Sequence, residues 1–99
     1  MARMVWTRNA RTDLLRLRDF LAPKSADAAA RAVRTIRTGL RTLKTAPEAG
    51  TPVPWLPDGY REWVIPFGKS GYVILYRHVG SDVVIQAIRH GREAGYFNE

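Results

Sequence analysis

Ala10, Leu14, Leu17 and Leu21 recur at spacings of 4, 3 and 4, which lines them along one face of a helix. Thr7 stands where an N-cap is wanted, and Pro23 forbids continuation past it. Ser25 or Asp27 then caps a second helix, running to about Thr45, with the stripe Ala29, Val33, Ile36, Leu40 and Leu43. Two like stripes across a short break predict an antiparallel helical hairpin. Pro47, Gly50, Pro52, Pro54, Pro57 and Gly59 then make residues 46–59 a loop. Trp55 and Leu56 inside it read as a plug tying the loop to the core, with a binding site as the alternative.

The remainder changes period. Tyr60 to Phe67, Gly71 to Val79 and Asp82 to Arg89 are rich in Val, Ile, Tyr and Trp, the composition of strands. Gly68–Gly71 and Gly80–Asp82 are hairpin connections, and Met4–Trp6 predicts a further strand at the N-terminus. The expected fold is α+β in the order β-α-α-β-β-β, a helical hairpin on a small antiparallel sheet. Residues 1–99 read as a single domain, with the polar stretch 91–99 expected to fray.

The chain has 99 residues, no cysteine and a formal net charge of +7. It offers no disulfide framework and no thiolate metal site. There is no apolar run long enough for a membrane span and no apolar core of a secretory signal near the first residues, so a cytoplasmic domain is expected. The positive excess points toward nucleic acid, a ribosome-like assembly, an anionic surface or an acidic protein partner, against the alternative of a merely solvated surface. On the second helix Arg34, Arg37, Arg41 and Lys44 each follow the apolar stripe by one position, and Asp27 is the only acid. Intrahelical pairing cannot neutralise that run, so an acidic partner would relieve its repulsion.

Most catalytic signatures fail on spacing. Gly68-Lys69-Ser70 is not a phosphate-binding loop, because position 63 is Trp and the segment joins strands. His78 and His90 lack the spacing of a metal pair, so neither metal nor cofactor is expected. Ser25, Ser70 and Ser81 are a cap and two turn residues. What accumulates at the sheet end is cationic and aromatic: Arg61, Arg77, Arg89, His90 and Arg92, interleaved with Tyr60, Tyr72, Tyr76 and Tyr96. Such positions could converge on one concave surface, where arginines hold phosphate and tyrosines stack on bases. The competing reading makes Tyr72 and Tyr76 core, His90 a hydrogen-bonded strand end, and Arg77 and Arg89 partners of Glu62 or Asp82.

The layout resembles the RelE/ParE superfamily of toxins from bacterial toxin–antitoxin systems. The resemblance rests on Val5-Trp6 leading into Ala10, Asp13-Leu14 and Leu17, then on Pro47 and Pro57-Asp58-Gly59-Tyr60-Arg61. It ends with Gly71-Tyr72-Val73-Ile74-Leu75-Tyr76-Arg77 and Ile88-Arg89-His90-Gly91-Arg92, and so covers nearly the whole chain. It implies one of two activities. One branch of the superfamily cuts messenger RNA on the ribosome without a metal; the other, ParE-like, binds and poisons DNA gyrase. Ribonuclease members often carry an arginine directly after the tyrosine, where this chain has Val73, and a basic pair where Arg61 is followed by Glu62, Trp63 and Val64. Metal-free cleavage also needs a base, a cation and an acid together, and only Glu62 or Glu93 offers a base.

The ParE-like branch is therefore expected, with Arg61, Arg77, Arg89, His90, Arg92 and Tyr96 as candidate target contacts. The first alternative is a ribosome-dependent endonuclease with Arg61, His90 and Arg92 at its site; the second is a non-toxic basic binding module. The resemblance also implies a cognate antitoxin, in a hetero-oligomer with the toxin, and DNA gyrase or the ribosome as target. The antitoxin segment is expected to be acidic and to meet Arg34, Arg37, Arg41 and Lys44.

Overall fold

In the computed structural model, which describes residues 1–93, 95 and 96, the predicted order of elements is present. Strand β1 (Arg3–Trp6) leads into helix α1 (Arg8–Leu21), whose first turn is capped by Thr7 Oγ1 accepting from the Ala10 N–H at 3.0 Å. Helix α2 (Ala26–Leu40) is capped in the same way by Ser25, which accepts from the Ala28 N–H at 3.1 Å.

The second helix does not run unbroken to Thr45 as its stripe predicts. At Arg41 the backbone N–H donates to Thr38 O rather than one residue further back, and a one-turn helix α3 (Thr42–Thr45) follows. Gly39 sits just before the break, where α2 lies so close to the sheet that a Cβ would fall 2.7 Å from the Ile65 side chain. A glycine permits that approach and weakens the helix around it.

Two-residue β2 (Thr51–Pro52), β3 (Tyr60–Ile65), β4 (Tyr72–Val79) and β5 (Asp82–His90) complete a five-stranded sheet in the order β1-β5-β4-β3-β2. All neighbours are antiparallel except β1 and β5, which pair in parallel from Arg3↔Asp82 to Trp6↔Ile85. β2 lies inside the predicted loop, where a proline is compatible with a sheet edge. Between β4 and β5 the register shifts after Tyr76↔Ile85, so that Leu75 faces Ala87 and Gln86 is the additional residue of a bulge.

The helices cover one face of the sheet. Leu14, Leu17, Ile36, Leu40 and Leu43 pack there on Ile65, Tyr72, Ile74, Tyr76, Val83, Ile85 and Ile88, so Tyr72 and Tyr76 are core residues. β1 flanks only the first half of β5. Beyond it α1 takes the strand's place: Asn9 Nδ2 donates to Gln86 O at 3.0 Å, and the Ile88 N–H donates to Asp13 Oδ2 at 2.8 Å. Arg16 donates to Ile88 O at 3.3 Å. The backbone groups of β5 that would otherwise be orphaned are thereby satisfied. No helix among the described residues is long and apolar enough to cross a membrane. The expectation for 91–99 falls partly on residues 94 and 97–99, outside the described residues.

Candidate functional site

Alternation along the strands decides which face each candidate takes. Tyr60 pairs with Arg77 and Arg61 with Tyr76, while Tyr72 pairs with His90 and Val73 with Arg89. Tyr72 and Tyr76 belong to the core under the helices. Arg61 and His90 therefore lie on the helix side, and Arg77 and Arg89 on the opposite, open face. The candidates do not all share one surface: a one-residue offset in each strand pair puts Arg77 and Arg89 on one face and Arg61 and His90 on the other.

Each candidate has a local role. The Arg61 guanidinium donates to Glu48 O at 3.0 Å and Gly50 O at 2.8 Å, beside the Tyr76 hydroxyl, which donates to Pro47 O at 2.7 Å and accepts from the Gly50 N–H at 3.0 Å. Together they fix the loop that leads into β2. His90 stands edge-on to the Tyr72 ring at 5.7 Å, and its Nδ1 accepts from the Arg92 N–H at 3.2 Å. The Arg92 side chain is exposed and donates to Ser70 Oγ at 2.9 Å.

Neither open-face arginine pairs with Glu62 or Asp82. Arg77 lies over the Tyr60 ring at 5.2 Å and donates to Asp58 O at 3.2 Å. Arg89 donates to Glu93 O at 2.9 Å and lies over the Tyr96 ring at 5.3 Å, with its buried Nε lacking a hydrogen-bond partner. Asp82 is held by Arg3 at 2.9 Å. Glu62 accepts from the Tyr96 hydroxyl. Burial, and then the Glu62 carboxylate, push the Tyr96 phenol far above its ordinary range, so Tyr96 is a fixed donor. Glu93, the other candidate base, is held by Arg16 at 2.9 Å and accepts from the His90 N–H at 2.6 Å. Among the described residues no group of three His, Cys, Asp or Glu side chains could hold a metal ion.

The basic run of α2 is also divided. Arg37, Arg41 and Lys44 line a small groove with Met4, Trp6 and Leu40, and the Arg37 guanidinium lies 5.7 Å from the Trp6 ring. That groove continues along the outer edge of β1, past Arg3, Arg11 and Leu15. Arg34 instead faces a groove on the other side of α2, with Arg31 and Phe67.

Trp55 corrects another expectation. It is 80% exposed, and the loop is tied down by Val53, 6% exposed, whose N–H donates to Tyr60 O at 3.1 Å. The Trp55 side chain lines an open-face groove of about 560 Å³ together with Leu75, Ala87, Glu62 and Tyr96. Sequence reasoning singled out Glu62 and Tyr96 separately but had no signal that they meet. A tryptophan between prolines was the one signal for the groove.

Comparison with known proteins agrees with this architecture. Residues 4–95 match the family model described as ParE toxin of type II toxin-antitoxin system, parDE. The chain is 40% identical over 84 residues to "Toxin RelE1" of Caulobacter vibrioides, covering 85% of this chain and 87% of that protein. It is 36% identical to "Toxin RelE3" of the same organism, covering 85% and 88%. A chain of the structure described as "Chromosomal ParDE TA system from P. aeruginosa" superposes with a TM-score of 0.72 over 91% of this chain and 96% of that one, at 23% identity, a likeness of fold. With an order of elements and a sequence match that both run almost end to end, the chain belongs to the ParE toxin family of type II toxin–antitoxin systems, within the RelE/ParE superfamily.

Proposed function

We propose that this toxin arrests growth by binding and poisoning DNA gyrase, not by cutting RNA. One observation carries the reading: the residues that a metal-free ribonuclease would need are separated and engaged. Arg61 lies on the helix side and is fixed on two loop carbonyls. His90 also lies on the helix side, while the open-face carboxylate of Glu62 is held by Tyr96. Arg61, Glu62 and His90 therefore do not face one phosphate, and Glu93, which does lie beside His90, is held by Arg16; general acid–base catalysis requires the geometry first. The test is supercoiling of relaxed plasmid by purified gyrase with the toxin added. Lost supercoiling with trapped, cleaved DNA is the expected result.

The second reading, a ribosome-dependent messenger RNA endonuclease, is favoured by the names of the two relatives, both RelE. A translating extract separates the readings. Codon-phased cuts that vanish on His90→Ala and Arg92→Ala, with gyrase untouched, would reverse the assignment.

The family implies an antitoxin partner. We place its docking segment along β1 and α2, where Arg37, Arg41 and Lys44 rim an apolar floor of Met4, Trp6 and Leu40. Among the described residues Arg41 and Lys44 have no ion pair, whereas Asp13, Asp19, Asp27, Asp82 and Glu93 are all paired within the chain. An acidic amphipathic segment fits that imbalance, and Arg34 extends the contact only if the segment crosses α2.

A further inference from the structure

The groove lined by Trp55 differs from the other grooves in its charge. Those beside α2 and β1 are lined by Arg3, Arg11, Arg31, Arg34, Arg37 and Arg41. In a protein of net charge +7, the Trp55 groove has one charged residue in its lining, the acid Glu62, and Tyr96 already occupies that carboxylate. Its Leu75 and Ala87 side chains are apolar. Among the described residues the Gln86 carboxamide, which borders the groove, makes no hydrogen bond. Trp55 in the same lining is 80% exposed, and no core contact accounts for a side chain of that size in water. Exposed aromatics beside an apolar groove, which a partner desolvates on binding, are the usual anchors of protein interfaces.

We propose that Trp55 and this groove form the toxin's contact with its target protein, and that the groove takes an uncharged apolar side chain from an extended segment of that target. The peptide group beside that side chain would be read by the Gln86 carboxamide. Charge complementarity favours a protein over nucleic acid. A phosphate chain would meet Glu62 and no free cation in the lining, whereas phosphate binding depends on lysine and arginine. The groove crosses β3, β4 and β5 on the open face of the sheet, and the antitoxin groove proposed above lies along β1 and α2, with no lining residue in common. The inference rests on the reading that the toxin works by binding a protein, and it does not depend on that protein being gyrase.

The test is growth arrest on induction of the full chain in a bacterial host, read as colony count, for the wild type and for Trp55→Ala, Trp55→Phe and Gln86→Ala. Trp55 is exposed, so the variants should melt with the wild type; circular dichroism on the purified chains checks this. Loss of a central aromatic anchor weakens binding by roughly 30-fold or more. The expected result is that Trp55→Ala restores colonies, Trp55→Phe restores them partly, and Gln86→Ala gives an intermediate count. Arrest as strong in Trp55→Ala as in the wild type overturns the proposal, whereas arrest absent from both overturns the toxin reading on which it rests. So does salt-dependent binding of a short single-stranded oligonucleotide that Trp55→Ala abolishes, which would assign the groove to nucleic acid. Trp55-dependent arrest with undisturbed gyrase supercoiling would refute gyrase as target and leave the docking surface standing. Inhibited supercoiling that Trp55→Ala does not relieve would do the reverse.

Discussion

The carboxylate of Asp13, in the middle of α1, accepts a hydrogen bond at 2.8 Å from the backbone N–H of Ile88 in β5, a residue 75 positions along the chain. The contact attaches the helical hairpin to the sheet at the point where β1 has ended and β5 would otherwise present an open edge. Asp13 is 1% exposed, and burial raises its carboxyl above the ordinary value despite the Ile88 N–H and the Arg16 guanidinium, which pull it back. The position therefore needs an acceptor more than it needs a charge.

Asp13→Ala should cost about 1–3 kcal/mol, because it leaves the Ile88 N–H buried without a partner. Asp13→Asn keeps an acceptor and removes the desolvated charge, so at neutral pH it should be at least as stable as the wild type. The folded chain holds the Asp13 proton more tightly than the unfolded one. Its contribution is therefore greatest below about 3.8 and declines as pH rises through the raised folded value. The melting temperature of Asp13→Asn relative to the wild type should accordingly rise across that window and level off above it. A difference that falls instead would mean that Arg16 outweighs burial.

Gly39→Ala sets two effects against each other. Alanine improves an exposed helix by about 1 kcal/mol over glycine. Here the new Cβ would lie 2.7 Å from the buried Ile65 side chain, and overpacking of that kind costs about 1–3 kcal/mol. The clash should win, lowering the denaturant midpoint. A raised midpoint would show that Ile65 can move aside.

Tyr76→Phe removes one hydroxyl that serves two backbone groups, Pro47 O and the Gly50 N–H. Arg61 still holds the Glu48 and Gly50 carbonyls, so the loop should stay in place while stability drops by about 1–3 kcal/mol. Thermal unfolding of the variant checks this, and an unchanged melting temperature would mean that water replaces the hydroxyl.

The helices were legible because their period and caps are local: Thr7 and Ser25 cap where the sequence places them. Strands β1, β3, β4 and β5 were legible for the same reason, through composition and glycine turns, whereas two-residue β2 was hidden among prolines. Pairing was not. That β1 runs parallel to β5, and that Gln86 forms a bulge, depends on contacts about 80 and 10 residues apart in the chain. The facing of Arg61 and His90 follows from those registers, and a slip of one residue reverses every side chain. Arg16 and Glu93, 77 positions apart, could not be matched from spacing. Trp55 misled because an aromatic residue in a proline-rich loop looks the same in sequence whether it plugs a core or stands outside it.

Charge on α2 should decide recognition of the antitoxin more than it decides folding. Arg37→Glu with Arg41→Glu places two carboxylates in the groove of Met4, Trp6 and Leu40. Both side chains are exposed, so the melting temperature should change little. Association with an acidic antitoxin segment should slow by about tenfold or more at low salt, because steering of opposite charges raises on-rates by that order. The gap between variant and wild type should close as salt rises, since exposed charges are screened beyond about 10 Å at 0.1 M. Growth arrest without antitoxin should persist in the variant if the target contact lies at Trp55, on the other face of the sheet. An antitoxin whose toxin-binding segment is basic, or which binds the variant at the wild-type rate, would sink the placement of its docking site here.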